Sequence, residues 1–365
     1  MRTAIVHYWL TNMRGGEKVV EALCKMLPGA DIFTLFYEPE AVSPAIRSHH
    51  VTTSLLNPLR RFHRHLLPLM PFALEQFDLR EYDLVISSES GPAKGVITRA
   101  DARHICYCHS PMRYLWHLYP EYVEWSGRLG RAALACFAPP LRVWDYATAA
   151  RVDEFVANSE NVRRRIWKTY RRESQVIYPP VAVEDFSWQP SEDYYLMVSE
   201  LVSYKRLDYA VRYFAKSGRK LKVAGDGPEL ARLQKLGAAN IEFCGRVSDA
   251  EIRSLFARSR AFLLPGEEDF GITAVEALAS GKPVIALGRG GVLDSVSDGV
   301  SGVLYGEPGE GSLADAILRF EAMEQSFSVP LLQQQAARFS ESAFVDAMQA
   351  LIQTNCVLNS RKRGT

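Results

Sequence analysis

Short apolar runs alternate with amphipathic stretches along the first half of the chain. The apolar run Ala4–His7 predicts a β-strand, which is followed by a loop over Tyr8–Gly16. Apolar residues then recur at helical spacing over Glu17–Leu27, and Pro28-Gly29 marks the end of that helix. Later apolar runs predict further strands at Asp31–Phe33, Leu84–Ser87, His104–Tyr107 and Glu154–Ala157.

The same alternation is more regular in the second half of the chain. A helix is predicted over Leu207–Ala215, and Ser248–Glu251 has the capping-box pattern of a helix that runs to Arg258. The predicted strands of this half are Tyr195–Val198, Leu221–Ala224, Ile241–Cys244, Ala261–Leu264 and Val284–Ala286. Strands that alternate with helices favour parallel sheets covered on both faces. The pattern therefore predicts an α/β protein with two lobes and a cleft between them.

Turn-forming residues separate the two halves. The stretch around Val176–Pro190 is rich in proline and in polar turn residues, so we place the domain boundary there. We predict an N-terminal Rossmann-like domain over residues 1–180 and a C-terminal Rossmann-like domain over residues 190–337. The segment near residues 340–354 has the spacing of an amphipathic helix, and the terminal SRKRGT is predicted to be frayed.

Composition narrows the class of protein. The chain has 365 residues, of which 47% are hydrophobic and 23% are charged, as in soluble globular proteins. Its net charge of +1 gives no indication of nucleic-acid binding. The N-terminal MRTAIVHYWL is typical of a first strand rather than a signal peptide, and no apolar run approaches the roughly 18 residues of a membrane span. We therefore expect a cytoplasmic protein with no nucleic-acid partner.

The cysteines agree with this expectation. All six are scattered, and most lie in apolar runs, which is typical of reduced, buried thiols rather than of a disulfide framework. Cys106-Tyr107-Cys108-His109 has the residue types of a metal site, but no second ligand pair at zinc spacing accompanies it. We expect no bound metal.

The most informative stretch is GEEDFGITAVEALASG, residues 266–281. Glu268 and Glu276 are separated by seven residues, and Glu276 lies in a run with helical spacing. The amides of Gly271–Thr273 would then lie at a helix N-terminus, which is a ready anion site. Carboxylates beside an anion site suit a ligand that is part phosphate and part polyol, such as a nucleotide sugar. The alternative is an ordinary amphipathic helix with two surface glutamates.

This stretch resembles the E-x7-E signature of the retaining glycosyltransferases of family 4, which have the GT-B fold of two Rossmann-like domains. The resemblance implies that Glu276 holds the ribose hydroxyls of the donor. It also implies that Glu268 and the backbone of Phe270, Gly271, Ile272 and Thr273 face the donor sugar and phosphates. In this fold the last helix, about residues 340–365 here, packs back on the first domain.

Three further loops resemble donor-binding segments of the family. GGEKVVEAL resembles the glycine loop that contacts the donor diphosphate, which assigns Gly15 and Gly16. SELVSYKRLD supplies Lys205 and Arg206, whose charges can meet diphosphate oxygens. Gly245 and Val247 resemble the loop that lies against the base. Taken alone, these stretches are a flexible loop, a solvated Lys-Arg pair and a turn.

One position departs from the family pattern. The family usually has an arginine five residues before the lysine, and Glu200 stands there in this chain. A carboxylate cannot neutralise phosphate. Either Arg206 or another cation takes that role, or Glu200 turns away and pairs with Arg206.

The N-terminal domain contributes one candidate catalytic side chain. YCHSPMRYLW resembles the family segment whose histidine lies near the donor sugar and the acceptor, which assigns His109. The alternative is a buried histidine that is satisfied within the fold. VANSENV also resembles a family segment and indicates Asn158 and Ser159 as residues of the interface between lobes.

A leucine-rich basic segment, residues 55–79, has two interpretations. It combines Arg60, Arg61 and Arg64 with many Leu, Met and Phe residues, and its prolines break any long helix. Two interpretations remain open: a patch that meets anionic lipid or a lipid-linked acceptor, and a buried irregular segment with a basic rim. The Trp- and Tyr-rich stretch 114–144 could extend such a surface or stack on sugars.

The resemblance implies retaining transfer of a sugar, with mannose from GDP-mannose as the first expectation, as in bacterial surface-polysaccharide assembly. The catalytic assignments are Glu268, Lys205 and His109. The acceptor is expected to be a glycan or a polyprenyl-diphosphate-linked oligosaccharide, with peripheral contact at the cytoplasmic face of the membrane. No cofactor is expected beyond the nucleotide sugar. The alternatives are a UDP-sugar transferase, a GT-B epimerase, a glycan-binding scaffold and, on fold alone, a dinucleotide oxidoreductase, which the missing GxGxxG disfavours.

Overall fold

The structure is a computed structural model that describes the backbone of residues 1–362 and the side chains of residues 1–354 other than Arg64. The chain forms two compact units. One contains Met1–Pro180 together with the segment from Phe344 onward, and the other contains Val181–Ala343. The last three residues of the predicted frayed terminus lie outside the described part of the chain.

The N-terminal unit is built on a seven-stranded parallel sheet within the described residues. Its strands are β1 (Thr3–Leu10), β2 (Asp31–Tyr37), β3 (Val51–Thr53), β4 (Leu84–Glu89), β5 (Arg103–Cys108), β6 (Glu154–Ala157) and β7 (Ser174–Val176). Their order across the sheet is β3-β2-β1-β4-β5-β6-β7. The five strands predicted in this half are confirmed. The two edge strands, β3 and β7, were not predicted because each has only three residues and carries polar side chains.

Helices cover this sheet. They are α1 (Gly15–Met26), α2 (Pro44–Arg47), α3 (Met70–Glu75), α4 (Tyr119–Trp125), α5 (Arg128–Thr148) and α6 (Glu160–Tyr170). The start of α1 corrects the sequence prediction, because Gly15 and Gly16 form the first turn of the helix rather than the end of a loop. Glu17 explains the difference: its carboxylate accepts the Arg14 amide at 3.0 Å, and the helix begins two residues earlier than the apolar spacing suggested.

The C-terminal helix belongs to the core of the N-terminal unit. It spans Glu341–Lys362. Phe344, Met348 and Ile352 are buried in the cluster that contains the centres of β1 and β4. The Phe344 ring also meets Tyr107 of β5 edge-on, with 5.6 Å between ring centroids.

The C-terminal unit contains a six-stranded parallel sheet. Its strands are β8 (Tyr195–Val198), β9 (Leu221–Ala224), β10 (Ile241–Gly245), β11 (Phe262–Leu264), β12 (Val284–Leu287) and β13 (Gly302–Tyr305), in the order β10-β9-β8-β11-β12-β13. The five predicted strands are confirmed to within about one residue, and β13 was missed. The helices of this unit are α7 (Leu207–Ser217), α8 (Leu230–Leu236), α9 (Asp249–Arg258), α10 (Ile272–Ala279), α11 (Val292–Ser295), α12 (Glu310–Met323) and α13 (Val329–Ala337). The final helix, which packs in the N-terminal unit, is α14 (Glu341–Lys362).

The capping box predicted for α9 is present. The Ser248 hydroxyl accepts the Glu251 amide at 3.3 Å, and the Glu251 carboxylate accepts the Ser248 amide at 2.8 Å. The helix ends at Arg258 as predicted. Local capping chemistry therefore fixes this helix independently of the rest of the sheet.

The strand order reverses once in each sheet, where the chain stops adding strands on one side of its first strand and begins to add them on the other side. In the N-terminal unit this point lies between β1 and β4, and in the C-terminal unit it lies between β8 and β11. Because all of the strands are parallel, the loops that follow them emerge at a single edge of each sheet. Ligands of open α/β sheets bind outside the carboxyl ends of strands at such a point.

Candidate functional site

Lys205 and Glu268 meet at the reversal point of the C-terminal sheet. Lys205 ends a single 3₁₀ turn after β8, and Glu268 lies in the loop after the neighbouring strand β11. The Lys205 Nζ is 2.9 Å from the Glu268 Oε1, and the two side chains are 19% and 17% exposed. The sequence motifs assign the two residues to separate loops. In the fold they form an ion pair that remains partly exposed to solvent.

Gly266 makes this approach possible. A Cβ atom at this position would lie 2.6 Å from the carbonyl oxygen of Lys205 and 2.7 Å from its Cα. Both are backbone atoms, so a side chain there would push the turn that carries Lys205 away from the loop that carries Glu268. The first glycine of the signature stretch therefore holds two loops of the site together.

The N-terminus of α10 lies beside this pair. Gly271 is its N-cap with φ of 90°, a conformation that favours glycine, and Ile272 and Thr273 form the first turn. Amides of a first helical turn have no acceptor within the helix, so they are suited to anions. Glu276 lies one turn further along, buried within the helix at 7% exposure.

Phe270 contributes only its backbone to this edge. Its side chain is buried and packs against the ring of Phe339, with 5.4 Å between centroids. The aromatic ring therefore anchors the signature loop to the interior of the unit. The resemblance assigned the backbone of Phe270 to the donor site, and its ring is not exposed to a ligand.

Gly290 and Gly291 lie close against the backbone of the signature loop. The Gly291 amide donates to the Glu268 carbonyl at 2.9 Å. A Cβ at Gly291 would lie 2.1 Å from the Asp269 carbonyl oxygen, and one at Gly290 would lie 2.4 Å from that of Glu268. Both glycines therefore allow a close approach to the backbone of the signature loop.

The loops after β9 and β10 lie on the other side of Lys205 along the sheet edge. The Gly225 amide donates to the Gly245 carbonyl at 2.8 Å, which joins the two loops. Gly245 has φ of 65° and no atom within 4 Å of an added Cβ. Val247 is half-buried just before the cap of α9. These positions suit a ligand that lies along the loops, as the resemblance implies for the base.

Arg206 lies further toward helix α7. It caps this helix in a left-handed conformation, with φ of 51°. Its Nε is 3.4 Å from the Asp208 Oδ1, and its guanidinium lies over the ring of Tyr209. Arg206 therefore contacts its own helix, whereas Lys205 contacts the signature loop.

In the N-terminal unit, His109 follows β5 at the reversal edge of the sheet. Its Nε2 is 2.8 Å from the Ser88 Oγ of β4. A Cβ at Gly16 would lie 3.6 Å from the His109 Nε2 and 3.6 Å from the His7 Cε1. The glycine turn, His109 and the end of β4 thus form one polar cluster, as expected for parallel strands that end at a common edge.

His7 and Ser88 were missed in the sequence. His7 is fully buried in β1, and its Nδ1 donates to the Ser88 carbonyl at 3.0 Å. Because Nδ1 carries the proton in that bond, a neutral ring presents an Nε2 lone pair. This atom lies 3.9 Å from the Glu17 Oε1 and has no hydrogen-bond partner among the described residues. The sequence feature that could have identified them is the presence of polar residues within the apolar strand sequences AIVHYWL and LVISSE.

A buried ionic cluster lies behind this edge. The Lys94 ammonium contacts Asp145 of α5 and lies 3.2 Å from Glu89 at the end of β4, and all three side chains are fully buried. Burial raises the pKa of Glu89 to about 7. Burial alone would lower the pKa of Lys94, but the two carboxylates outweigh it and hold that pKa above its usual value. The cluster ties β4 to helix α5.

Asn158 and Ser159 make local contacts in the N-terminal unit. Ser159 is the N-cap of α6, since its hydroxyl accepts the Val162 amide at 3.1 Å, and it also contacts the Asn158 side chain at 3.2 Å. Within the side chains that the structure describes, no group of three or more His, Cys, Asp or Glu has the arrangement of a metal site. None of the described helices combines the length and apolar character needed to cross a bilayer.

Comparison with known proteins gives matches along most of the chain. Residues 13–185 match the family model described as Glycosyltransferase Family 4. Residues 182–343 match the model described as Glycosyl transferases group 1. Together the two models cover both units and every loop of the candidate site.

Individual relatives are more distant. The chain is 35% identical over 121 residues to a GDP-mannose-dependent alpha-mannosyltransferase of Corynebacterium glutamicum, a match that covers 32% of this chain and 29% of the relative. It is 29% identical over 245 residues to a D-inositol 3-phosphate glycosyltransferase of Mycobacterium marinum, covering 58% and 52% of the two chains. The chain thus spans about half or less of the length of these curated relatives.

A solved structure is similar over nearly the whole chain. It is Anabaena HepE in complex with UDP-glucose, with a TM-score of 0.71, 17% identity, and coverage of 97% of this chain and 100% of that one. At this level of identity the similarity establishes the fold. The chain therefore has the two parallel-sheet Rossmann-like domains of the GT-B glycosyltransferase structures.

Replacement of Gly291 should disturb the signature loop. In Gly291→Ala the new Cβ would overlap backbone atoms of Asp269 and Phe270, which cannot move without shifting the loop. Overpacking of this kind costs about 1–3 kcal/mol of unfolding free energy. Chemical denaturation should show this loss. Gly306→Ala is the matched control, because no atom lies within 4 Å of its added Cβ. Equal stability of the two variants would contradict the supporting role of Gly291.

Proposed function

Because the chain belongs to glycosyltransferase family 4 and has the GT-B fold, we propose that it transfers a sugar from a nucleotide-sugar donor with retention of the anomeric configuration. The donor is proposed to be GDP-mannose. The acceptor is proposed to be a glycan or a polyprenyl-diphosphate-linked oligosaccharide. No metal is required in this proposal.

The observation that carries the proposal is the Lys205–Glu268 pair beside the N-terminus of α10. An ammonium group and first-turn amides together suit the two phosphates of a nucleoside diphosphate. The carboxylates of Glu268 and Glu276 suit sugar and ribose hydroxyls, which donate hydrogen bonds. The proposed orientation places the diphosphate between Lys205 and Thr273 and the nucleoside toward Glu276, Gly245 and Val247.

The proposed chemistry is a front-side displacement. The acceptor hydroxyl forms a bond to the anomeric carbon on the face from which the diphosphate departs. As the bond from that carbon to the phosphate oxygen breaks, this oxygen takes the proton of the hydroxyl, so that no separate base is needed. Lys205 and the α10 amides stabilise the charge that develops on the departing diphosphate, and Glu268 holds Lys205 in place. His109 is proposed to contact hydroxyl groups of the donor sugar or acceptor.

The choice of mannose rests on resemblance. The Corynebacterium relative is named a GDP-mannose-dependent alpha-mannosyltransferase. The Anabaena structure was solved with UDP-glucose, which supports a nucleotide-sugar site of this kind and makes uridine donors the competing candidate. Glu200, which replaces the usual arginine, is the feature that favours a non-catalytic scaffold.

The proposed place of action is the cytoplasmic face of the membrane. A polyprenyl-diphosphate acceptor is held in the bilayer by its hydrocarbon chain, so the enzyme must reach the membrane surface to use it. This location is part of the proposal, together with the acceptor.

Calorimetry should distinguish the donors. GDP, GDP-mannose, UDP and UDP-glucose would be titrated into the protein with EDTA present. We expect GDP and GDP-mannose to bind more tightly, and Glu276→Ala to bind both more weakly while remaining folded. Tighter binding of the uridine ligands would replace mannose and keep the site. Absence of all binding would favour the scaffold, and binding that requires added metal would contradict the metal-free proposal.

Loss of the Lys205 charge should slow transfer. A charge-assisted contact is worth about 1.5–3 kcal/mol, so Lys205→Ala should lower kcat/KM by roughly tenfold or more. Steady-state kinetics with GDP-mannose would measure this effect. Lys216→Ala is the control, since Lys216 is an exposed lysine of the same unit that pairs with Glu310. Unchanged kinetics in Lys205→Ala would remove Lys205 from the donor site.

Gly16→Ala should separate function from stability. An added Cβ would meet its neighbours only at ordinary contact distances, and alanine is favoured over glycine in a helix, so the unfolding free energy should hold or rise. The same Cβ would occupy space proposed for the donor diphosphate, so activity should fall by about tenfold. Gly29→Ala, just beyond the other end of α1, should change neither quantity. Wild-type activity in Gly16→Ala would exclude this glycine from the donor site.

A further inference from the structure

The N-terminal half of helix α5 exposes apolar side chains around most of its circumference. Residues 128–140 read RLGRAALACFAPP, and within this stretch the buried side chain is Ala138. Leu129 is 88% exposed and Phe137 is 43% exposed. Surface helices of water-soluble domains ordinarily present a polar face to solvent. The stretch 128–140 has no such face, and its charged residues are Arg128 and Arg131.

A second exposed apolar segment occurs in the same unit. It precedes and includes α3, and its exposed side chains are Leu55, Leu59, Phe62, Leu69 and Phe72. Leu56, Met70 and Leu74 from the same segment are buried in the core of the unit. One side of this segment therefore forms the core, and the other carries large apolar residues in water.

The two segments adjoin each other. The Trp144 indole of α5 donates to the Glu75 carboxylate of α3 at 3.0 Å. Leu67 and Trp144 each pack against the core beneath the 55–75 segment and against the small cluster that contains Leu141. The exposed residues therefore belong to one region of the N-terminal unit, which we call the apolar-basic face and define as residues 55–72 and 125–146.

The charge of this face is positive. Its two segments supply six arginines in the sequence: Arg60, Arg61, Arg64, Arg128, Arg131 and Arg142. The segment 125–146 contains a single acidic residue, Asp145, and this side chain is buried against Lys94. The segment 55–72 contains none. Arg60 is paired with Glu38, whereas Arg61 and Arg128 are exposed.

We propose that the apolar-basic face binds the surface of an anionic phospholipid membrane, with α5 lying in the plane of the headgroups. Exposed leucine and phenylalanine would enter the boundary between headgroups and acyl chains, and the arginines would meet lipid phosphates. The charge favours this occupant over a second copy of the chain, because two such faces would place their arginines against each other. Only the purpose of this membrane contact, which is to bring the enzyme to a lipid-linked acceptor, rests on the proposed function.

The test is sedimentation of the full chain with vesicles, without donor or acceptor. Vesicles of phosphatidylcholine mixed with phosphatidylglycerol should bind the protein, and vesicles of phosphatidylcholine alone should not. Binding should fall severalfold when the salt concentration rises from about 0.1 M to about 0.5 M, because salt screens exposed charges. The double variant Leu129→Glu with Phe137→Glu should bind at least tenfold more weakly. Arg61→Gln with Arg128→Gln should also reduce binding and its dependence on salt.

Leu318→Glu is the matched control. Leu318 is a 55% exposed leucine on α12 of the C-terminal unit, so its replacement should leave vesicle binding unchanged. Nucleotide affinity should be unchanged in all of these variants, which separates this proposal from the donor proposal. The absence of binding to phosphatidylglycerol vesicles would overturn the proposal. A concentration-dependent dimer that Leu129→Glu abolishes would also overturn it, because a second copy would then cover the face.

Discussion

The parallel arrangement of every strand is the constraint from which the candidate site follows. A parallel strand needs a crossover to return the chain to the starting edge, so all loops that follow strands emerge together. At the reversal between β8 and β11, two such loops diverge to opposite faces and leave space between them. Lys205 and Glu268 occupy these two loops, although 62 residues separate them in the sequence. The same constraint brings His109 beside Ser88 in the N-terminal sheet.

The glycines of the site fall into two groups with different physical roles. Gly266 and Gly291 are required by the chain itself, because a side chain would collide with backbone atoms of neighbouring loops. Gly16 meets no such restriction, since its neighbours would accept a methyl group at ordinary contact distances. The first group sets the positions of Lys205 and the signature loop. Gly16, in the second group, leaves space beside it that the folded chain does not fill.

Much of the fold could be predicted from the sequence, since the predicted strands have buried apolar runs such as Tyr195–Met197 and the α9 cap is a local signal. The family and the GT-B fold were also identified from motifs, and both are confirmed. Edge strands were lost because Val51–Thr53 and Ser174–Val176 are short and only partly buried. His7 and Ser88 were not predicted as part of the site because they are distant in sequence and become neighbours only through strand pairing.

The two prolines of α5 limit how deeply the apolar-basic face can enter a bilayer. Pro139 and Pro140 lie inside the helix and have no amide hydrogen, so the carbonyl oxygens of Ala135 and Cys136 lose the donors that lie four residues further on. In hydrocarbon these oxygens would have no replacement donor, whereas water at the headgroup level supplies one. The proposed membrane contact of this helix is therefore a shallow one, at the level of the headgroups.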